Sequence, residues 1–270
     1  MKQAACLFAA LLTGCSPAVP SEAGGQAGER PTIVSLNPCA DAILAEVTAP
    51  GQLLALSHYS HDPKSTSMEL EVSAQYPSTG GTVEEVLALR PDVVVASTFL
   101  APATRAALED LGMRVETVGT VSSLAEAREQ VRQLAAVAGD PAAGEALAAR
   151  MDAATEPSAR EPVSAILWQP GGIVPGRGAL VTELMTRAGF RSHSAESGMG
   201  QADFLSLEQA LADPPQVLFV AGSERGQRHP VLAQVPGMEA VTMPANLLYC
   251  GGPTIMRAMD YLASVRGELP

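Results

Sequence analysis

The sequence predicts an α/β protein with two Rossmann-like lobes joined by a single long α-helix. Strand and helix patterns alternate on both sides of a central segment, which is typical of parallel sheets covered by helices. The central segment itself has helical periodicity over about 30 residues. A helix–strand unit also occurs twice, as TVEEVLALRPDVVVAS at residues 82–97 and as SLEQALADPPQVLFVA at residues 206–221. One such unit in each half indicates two similar lobes.

The first lobe is predicted over residues 31–121. Its strands are short apolar runs, and its helices begin near prolines or capping residues. Pro38 takes an early helical position after the first strand, and Gly112 ends the third helix. The predicted order is strand 32–37, helix 38–47, strand 53–57, helix 83–89, strand 92–97, helix 103–111 and strand 114–119.

The linking helix is predicted over residues 122–156. Ser123 and Glu126 have the spacing of a capping box, and Asp140 with Pro141 can restart a helix after Gly139. Apolar residues recur at helical spacing, at Leu124, Ala127, Val131, Leu134 and Ala138. A helix of about 30 residues is about 45 Å long, enough to span two lobes.

The second lobe is predicted over residues 157–270. Alternation resumes with a strand from Val163 and a helix that ends at Gly189, and the second copy of the repeated unit follows. The remaining predicted elements are strand 237–243, strand 246–250 and a last helix from Pro253 to about Val265.

The two copies of the repeated unit align without a gap, 124 positions apart. Glu84 is matched by Glu208, and Pro91 is matched by Pro215. Chance similarity of two α/β units is the alternative, because any such alternation produces apolar strands. The shared glutamate and the shared proline favour a true repeat.

The first residues have the features of an export signal. Residues 1–15, MKQAACLFAALLTGC, combine Lys2 with a short apolar core, and their ending resembles the lipobox of bacterial lipoproteins, in which the cysteine, here Cys15, is lipidated. A plain secretory leader is the alternative. Residues 16–30 suit a flexible tether, and no later apolar run is long enough to span a membrane. The net charge of −12 argues against nucleic acid as a partner.

Candidate ligand-binding residues follow the predicted strands, because parallel sheets bind ligands at the carboxyl ends of their strands. Aromatic residues there predict the walls of a pocket for a large, partly apolar ligand. His58 and His61 are spaced to share a loop and a metal, but no recognised metal motif completes the pair. No catalytic residue is assigned. The candidates are Asn37, His58, Tyr59, Phe99, Trp168, Gln169, Arg225 and Tyr249.

Cys39 and Cys250 remain once Cys6 and Cys15 are assigned to the leader and the lipid. Cys39 begins a predicted helix, where a lowered thiol pKa would suit a nucleophile with His58 as base. The two cysteines could instead form a disulfide or stay as separate thiols. Export to an oxidising compartment favours the disulfide.

The chain resembles the periplasmic solute-binding components of ABC importers for ferric siderophores, haem and cobalamin. The resemblance covers about residue 30 to the end and is strongest in IVSLNPCADAILAEV, GGTVEEVLALRPDVVVAS and LSLEQALADPPQVLFVAG. SLNPCAD with a distant CGGP is similar to one branch that carries this cysteine pair. The resemblance implies a ligand cleft between two lobes that move little on binding.

The resemblance also implies a partner and a mode of docking. One acidic residue on each lobe, here Glu84 and Glu208, would meet arginines on an ABC permease dimer in the inner membrane. The expected protein is a periplasmic, lipid-anchored monomer that carries cobalamin or an iron–siderophore complex without enzymatic activity or cofactor. Arg225 is the one clear cation at the cleft, which departs from the needs of a strongly anionic siderophore. A bare metal-ion receptor and a secreted Cys-dependent hydrolase are the alternatives.

Overall fold

The computed structural model describes residues 30–270. The predicted leader, Cys15 and all but the last residue of the tether lie outside the described residues. Within residues 30–270, every helix is too short or too polar to span a bilayer.

The first lobe is built on a five-stranded parallel sheet of order β3-β2-β1-β4-β5. Helices connect the parallel strands, as parallel pairing requires a crossover between successive strands. In chain order the elements are β1 (Ile33–Ser35), α1 (Pro38–Val47), β2 (Leu53–Ser57), α2 (Leu70–Ser73), β3 (Ser78–Thr79), α3 (Val83–Leu89), β4 (Val93–Ser97), α4 (Pro102–Asp110) and β5 (Arg114–Val118). The predicted strands and helices of this lobe agree with these elements within a few residues.

The second lobe has a four-stranded parallel sheet of order β11-β10-β6-β8 and a two-stranded antiparallel ribbon of β7 with β9. Its elements are β6 (Val163–Trp168), β7 (Ile173–Val174), α7 (Leu180–Arg187), β8 (Phe190–Ser192), α8 (His193–Glu196), β9 (Asp203–Phe204), α9 (Leu207–Ala212), β10 (Val217–Val220), β11 (Glu239–Thr242) and α10 (Thr254–Glu268). The predicted fold class, two α/β lobes with parallel sheets, is confirmed. The exact lobe boundaries stay a prediction.

The prediction of one long linking helix is wrong, because the segment forms two helices that fold back on each other. These are α5 (Leu124–Val137) and α6 (Pro141–Ala154). Ion pairs join Arg128 to Asp152 and Arg132 to Glu145, which is the order of an antiparallel hairpin. The link between the lobes is therefore a helical hairpin of about half the predicted length.

Two glycines explain the reversal. Gly139 has φ +75°, a left-handed conformation that ends α5, and the Asp140 side chain then accepts the Ala143 N–H at 3.0 Å to begin α6. Gly144 lies against Ala135, where an added Cβ would stand 2.5 Å from the alanine methyl. The two helices can approach this closely because Gly144 has no side chain.

Three apolar clusters form the core, and the largest is shared by both lobes. It joins one face of each sheet to α1, α5, α6 and α10. The second fills the other face of the first sheet, and the third fills the other face of the second sheet. The continuous cluster couples the lobes through packed side chains.

The strand predicted at residues 246–250 is absent, and residues Ala245–Leu247 form a 3-10 turn instead. Cys250 therefore follows an irregular segment that leads from β11 to α10. The apolar run NLLYC has strand composition, but Leu247 packs into the shared core from a turn.

Candidate functional site

The carboxyl ends of the first sheet and a loop of the second lobe enclose one open cavity of about 530 Å³. This volume is in the range of small-molecule pockets. Three groups of residues line it: those that follow β1, the end of β4, and the loop after β2. Tyr249 of the second lobe closes one side. The full lining is Leu36, Asn37, Pro38, Tyr59, Lys64, Ser65, Ser97 and Tyr249.

Asn37 is placed by its role as the cap of α1. Its side-chain oxygen accepts the backbone N–H groups of Cys39 at 2.9 Å and Ala40 at 3.3 Å. Pro38 then takes the first helical position, where its missing N–H has no cost. The short sequence Asn-Pro therefore fixes both the start of the helix and one wall of the cavity.

Tyr59 lies on a 3-10 turn, His58–His61, that directly follows β2. The tyrosine is 50% exposed although its neighbour Ser60 is fully buried. Ser60 and the Ser57 backbone both donate to the buried carboxyl of Asp41, at 2.6 and 3.0 Å. The turn is therefore held by hydrogen bonds to the buried Asp41, while the Tyr59 ring lines the cavity.

Lys64 is the one cation among the residues that line the cavity, and none of them carries a carboxylate. Its loop is closed by Asp62, whose carboxylate accepts the Lys64 N–H at 3.0 Å and the Ser65 hydroxyl at 2.8 Å. These hydrogen bonds hold the pKa of Asp62 below its ordinary value. The cavity is therefore mainly neutral, with one positive side chain at its edge.

A disulfide joins Cys39 to Cys250 and links the two lobes beside the cavity. The predicted pairing is confirmed. Asn37 and Pro38 precede one cysteine and Tyr249 precedes the other, so the bond brings lining residues of both lobes together. Gly252, next to it, packs so closely on Ile43 that an added Cβ would lie 2.6 Å from that side chain.

Polar contacts close the same side of the molecule. The Ser67 carbonyl accepts hydrogen bonds from Arg257 at 2.7 Å and from Thr254 at 3.3 Å. Arg257 also pairs with Glu69 at 2.7 Å. Both acceptors belong to the first lobe and both donors belong to α10, so the lobes are held together here by a covalent bond and by several polar contacts.

The prediction that Trp168 forms a wall of the pocket is wrong. Its ring is 4% exposed and packs in the core of the second lobe, and its indole N–H donates to the Leu205 carbonyl at 3.0 Å. The ring points to the sheet face that the ribbon β7–β9 covers. Position at the end of a strand therefore did not settle whether the ring lies in the core or in the cleft.

The other predicted ligand residues divide into two groups. Asn37, Tyr59 and Tyr249 come together at the cavity. Four residues are not among its lining, namely His58, Phe99, Gln169 and Arg225. Three of these four are exposed on loops, and Gln169 is half-buried in the tight turn that joins β6 to β7.

Two apolar residues that the sequence pattern did not single out also lie beyond the carboxyl ends of the second sheet. Ile173 and Phe204 face each other as register partners across the β7–β9 ribbon, and Phe204 is 60% exposed. Gly172 packs closely against the Phe204 ring, because an added Cβ would lie 2.6 Å from it. Strands of two residues leave no periodic signal, whereas Leu36 and Ser97 could have been found from their places at strand ends.

The structure bears on the two alternative chemistries. Cys39 is in a disulfide, so the free thiol that a Cys-dependent hydrolase needs is not present in this structure. Among residues 30–270, no three His, Cys, Asp or Glu side chains converge as a metal site would require. His58 is exposed, while the Nε2 atom of His61 is buried and forms no hydrogen bond with the described residues.

Glu84 and Glu208 occupy equivalent places on the two lobes. Each lies in the first turn of a short helix, α3 or α9, and each side chain is exposed. Its own backbone N–H and the Ser206 hydroxyl lower the pKa of the Glu208 carboxyl, so this group is charged at neutral pH. The repeated unit therefore presents a carboxylate on each lobe.

Similarity to known proteins is found at the level of the family and of the fold. The model of the periplasmic binding protein family matches residues 33–245. No curated protein matches the sequence.

Solved structures of heme-binding and vitamin B12-binding proteins share the fold. The periplasmic heme-binding protein RhuT of Roseiflexus sp. RS-1 is 22% identical with a TM-score of 0.67, over 88% of this chain and 97% of that chain. HutB, a heme-binding protein of Vibrio cholerae, is 17% identical with a TM-score of 0.69, over 88% and 99%. The vitamin B12-binding protein BtuF of Vibrio cholerae is 21% identical with a TM-score of 0.63, over 86% and 95%. With the match to the family model over most of its length, this chain belongs to the periplasmic binding protein family.

Proposed function

We propose that this chain is the binding protein of an ABC importer, that it captures a bulky metal chelate between its lobes, and that it delivers the chelate to a permease without chemical change. The observation that carries the proposal is the cavity of about 530 Å³ where both lobes contribute lining residues. Tyr59 and Tyr249 are about half exposed at this cavity, with 50% and 52% of their surface accessible. Half-exposed rings beside an open cavity are suited to packing on an apolar ligand face.

The ligand class follows from the lining. With one cation and no carboxylate, the cavity favours a ligand of low charge and large apolar area over a strongly anionic one. Cobalamin, haem and ferric siderophores are the metal chelates within the class. The lining ranks cobalamin first because its corrin has no ionised carboxylate, and haem second because Lys64 can pair with one of its two propionates. The similar structures titled as heme-binding and vitamin B12-binding proteins support these two candidates.

The partner is proposed to be an ABC permease dimer in the inner membrane. Two exposed carboxylates on equivalent helices, Glu84 and Glu208, suit a partner that presents two equivalent basic sites. A rigid binding protein can bridge both sites at once, because the helical hairpin, the shared core and the disulfide fix the distance between its lobes.

The location is proposed from the first residues of the sequence. Lipidation at Cys15 would place the folded body in the periplasm on a tether of residues 16–30, as a monomer whose only membrane contact is the lipid. Mass spectrometry of the membrane fraction tests this, because Cys15→Ser should abolish a mass increase of diacylglycerol size and release the protein from the membrane.

A titration tests the ligand assignment. The full chain is titrated with hemin, cyanocobalamin and a ferric catecholate siderophore, and the visible absorbance of each chelate is followed because the buried Trp168 is a poor reporter. We expect one chelate to saturate at one per chain with a Kd on the order of 1 μM or tighter. Tyr59→Ala should weaken binding, and Leu111→Ala, an exposed residue at the opposite end of the first sheet, should not. Failure of all three chelates to saturate would refute the proposal.

A further inference from the structure

Asp41 is a fully buried acidic residue directly beneath the turn that carries Tyr59. It lies in the first turn of α1, and one of its oxygens, Oδ2, accepts both the Ser57 N–H at 3.0 Å and the Ser60 hydroxyl at 2.6 Å. The two donors flank His58 and Tyr59 in the sequence. A single oxygen atom therefore ties down both sides of the exposed pair.

Burial of a carboxyl group lowers the stability of a protein unless hydrogen bonds compensate for the lost hydration. Its neighbours on α1, Ala40 and Ala42, are small apolar residues of the core, and an apolar residue at position 41 would be the ordinary choice. The second oxygen, Oδ1, has no hydrogen-bond partner among the described residues. The group is thus retained for its hydrogen bonds to the turn rather than for packing.

We propose that Asp41 is the positioning residue of the ligand cavity: it fixes the turn 57–61 and so holds Tyr59 at the place where it meets the ligand. The proposal rests on the proposed function, since it takes Tyr59 as a ligand wall. Asp41 itself does not line the cavity, so it acts through the turn.

The carboxyl acts in its neutral form. Burial raises the pKa of Asp41 to about 8, against the opposing effect of the nearby Ser35 and Ser60 hydroxyls and of the Ser57 backbone N–H. No ion pair joins Asp41 to another described side chain. The other titratable side chains on the turn and on the elements packed around α1 are His58, Tyr59, His61, Glu46, Glu126, Arg128, Glu129, Arg132, Glu145, Arg150 and Asp152. Asn has the shape and the acceptor of a neutral carboxyl, so it should replace Asp41 in the turn.

The pH dependence has a definite sign. The folded-state pKa lies above the ordinary value of 3.8, so the unfolded chain ionises first as pH rises. The stabilising contribution of the neutral carboxyl is fully present below about pH 4 and is lost towards pH 8. Denaturant unfolding should therefore show that the unfolding free energy of Asp41→Asn rises relative to that of the wild-type protein between pH 4 and pH 8. If the two unfolding free energies instead change in parallel with pH, the carboxyl is not buried in its neutral form.

Hydrogen exchange of the turn tests positioning without any ligand. In Asp41→Ala, exchange of the amides at 57–61 should rise by about tenfold or more, as expected when hydrogen bonds of ordinary strength are lost. Asp41→Asn should exchange like the wild-type protein. Val86→Ala is the matched control, because it removes fully buried apolar volume on the other face of the same sheet. If Asp41→Ala fails to fold, Ser60→Ala removes only the 2.6 Å bond and should still raise exchange at the turn.

Affinity connects the turn to the cavity. For whichever of hemin, cyanocobalamin or ferric catecholate binds the wild-type protein, Asp41→Ala should weaken binding about tenfold, while Asp41→Asn and Val86→Ala bind normally. Unchanged exchange in Asp41→Ala, or a loosened turn with unchanged affinity, would overturn the proposal. A different outcome separates the two proposals: exchange at the turn rises in Asp41→Ala, but the wild-type protein binds none of the three chelates. That outcome would support positioning of the turn by Asp41 and refute the proposed function.

Discussion

The two lobes repeat one helix–strand unit but differ where their strands end. In both, an N-capped helix leads to a buried parallel strand, as α3 to β4 and as α9 to β10. In the first lobe the strand ends lead to short anchored turns, with Tyr59 held out towards the cavity. In the second lobe the end of β6 turns into the β7–β9 ribbon, which covers the face where Trp168 is buried.

This difference separates two tasks. The parts that the lobes share carry the matched carboxylates Glu84 and Glu208, and these suit a partner with two equivalent sites. The parts that differ line the cavity unequally, so they suit a ligand without such symmetry. Under the proposed function, the parts that the lobes share would dock to the permease, and the parts that differ would bind the ligand.

The largest effect is expected where the aromatic residue has been taken into the core. Trp168→Ala should cost about 3–5 kcal/mol of unfolding free energy, because it removes a fully packed ring and its hydrogen bond. Tyr59→Ala should cost less than about 1 kcal/mol, since its ring is half exposed. Denaturant unfolding measures both. Equal losses of unfolding free energy for the two substitutions would contradict the assignment of Trp168 to the core and Tyr59 to the surface of the cavity.

Removal of the bond between the lobes should come next. The paired substitution Cys39→Ala, Cys250→Ala should lower stability by about 2–5 kcal/mol, because the disulfide closes a loop with a sequence separation of 211. Thermal unfolding under matched conditions, with and without reductant, checks this, and reductant should affect only the wild-type protein. A variant as stable as the oxidised parent would show that packing alone holds the lobes.

Docking should respond equally to changes on either lobe. Glu84→Ala and Glu208→Ala should each weaken binding to the permease about tenfold, as for loss of one charged hydrogen-bonded contact, and the double variant should lose both contributions. Chelate affinity in solution should not change. The measurement is binding of the loaded protein to membrane vesicles that contain the host's permease, with the exposed Glu71→Ala as control. A loss of chelate affinity in either variant would place that glutamate in the ligand site instead.

The smallest effects are expected at the N-caps of α3 and α9. The Thr82 hydroxyl accepts the Glu85 N–H at 3.3 Å, and Ser206 forms a full capping box with Gln209. Replacement of either cap by Ala should cost about 1 kcal/mol. Each hydroxyl accepts one N–H, from Glu85 or from Gln209, so Thr82→Ala and Ser206→Ala should have similar costs. Chemical unfolding compares them, and a difference of more than about 1 kcal/mol would show that the two units are not built alike.

Local patterns predicted much of the fold. The strands of the two sheets are short segments rich in apolar or β-branched residues, and they alternate with helices. This local pattern was sufficient to find β1, β2, β4, β5, β6 and β10. The start of α5 was also predicted from local sequence, because Ser123 accepts the Glu126 N–H at 3.1 Å. The other half of the predicted capping box is not formed, since the Glu126 carboxylate accepts from Ser122 rather than from the Ser123 N–H. The reversal at Gly139 was not predictable in this way, because a helix that restarts after a break has the same periodicity whether it continues straight or folds back.

The site was harder to predict because exposure depends on what covers a strand end. Tyr59 stands just beyond the end of an apolar strand and Trp168 at the end of another. Trp168 is a core residue because Val174 of the ribbon and the neighbouring Leu205 pack in the same cluster. Ribbon strands of two residues have no periodicity to detect. For the disulfide, the two remaining cysteines and the export signal favoured a bond but left separate thiols open, and the resemblance to a branch with this cysteine pair added support. The fold was needed to place the bond beside the cavity.

Hydrogen exchange of the loaded protein tests the central claim most directly, which is that the cargo lies between the lobes at their strand ends. The full chain is measured free and saturated with hemin or cyanocobalamin, whichever binds. We predict protection at residues 36–39, 57–65 and 97–99 of the first lobe together with the segment around Tyr249 of the second, and no change at α3 or α9. Protection confined to one lobe, or centred on the helices that carry Glu84 and Glu208, would contradict the account.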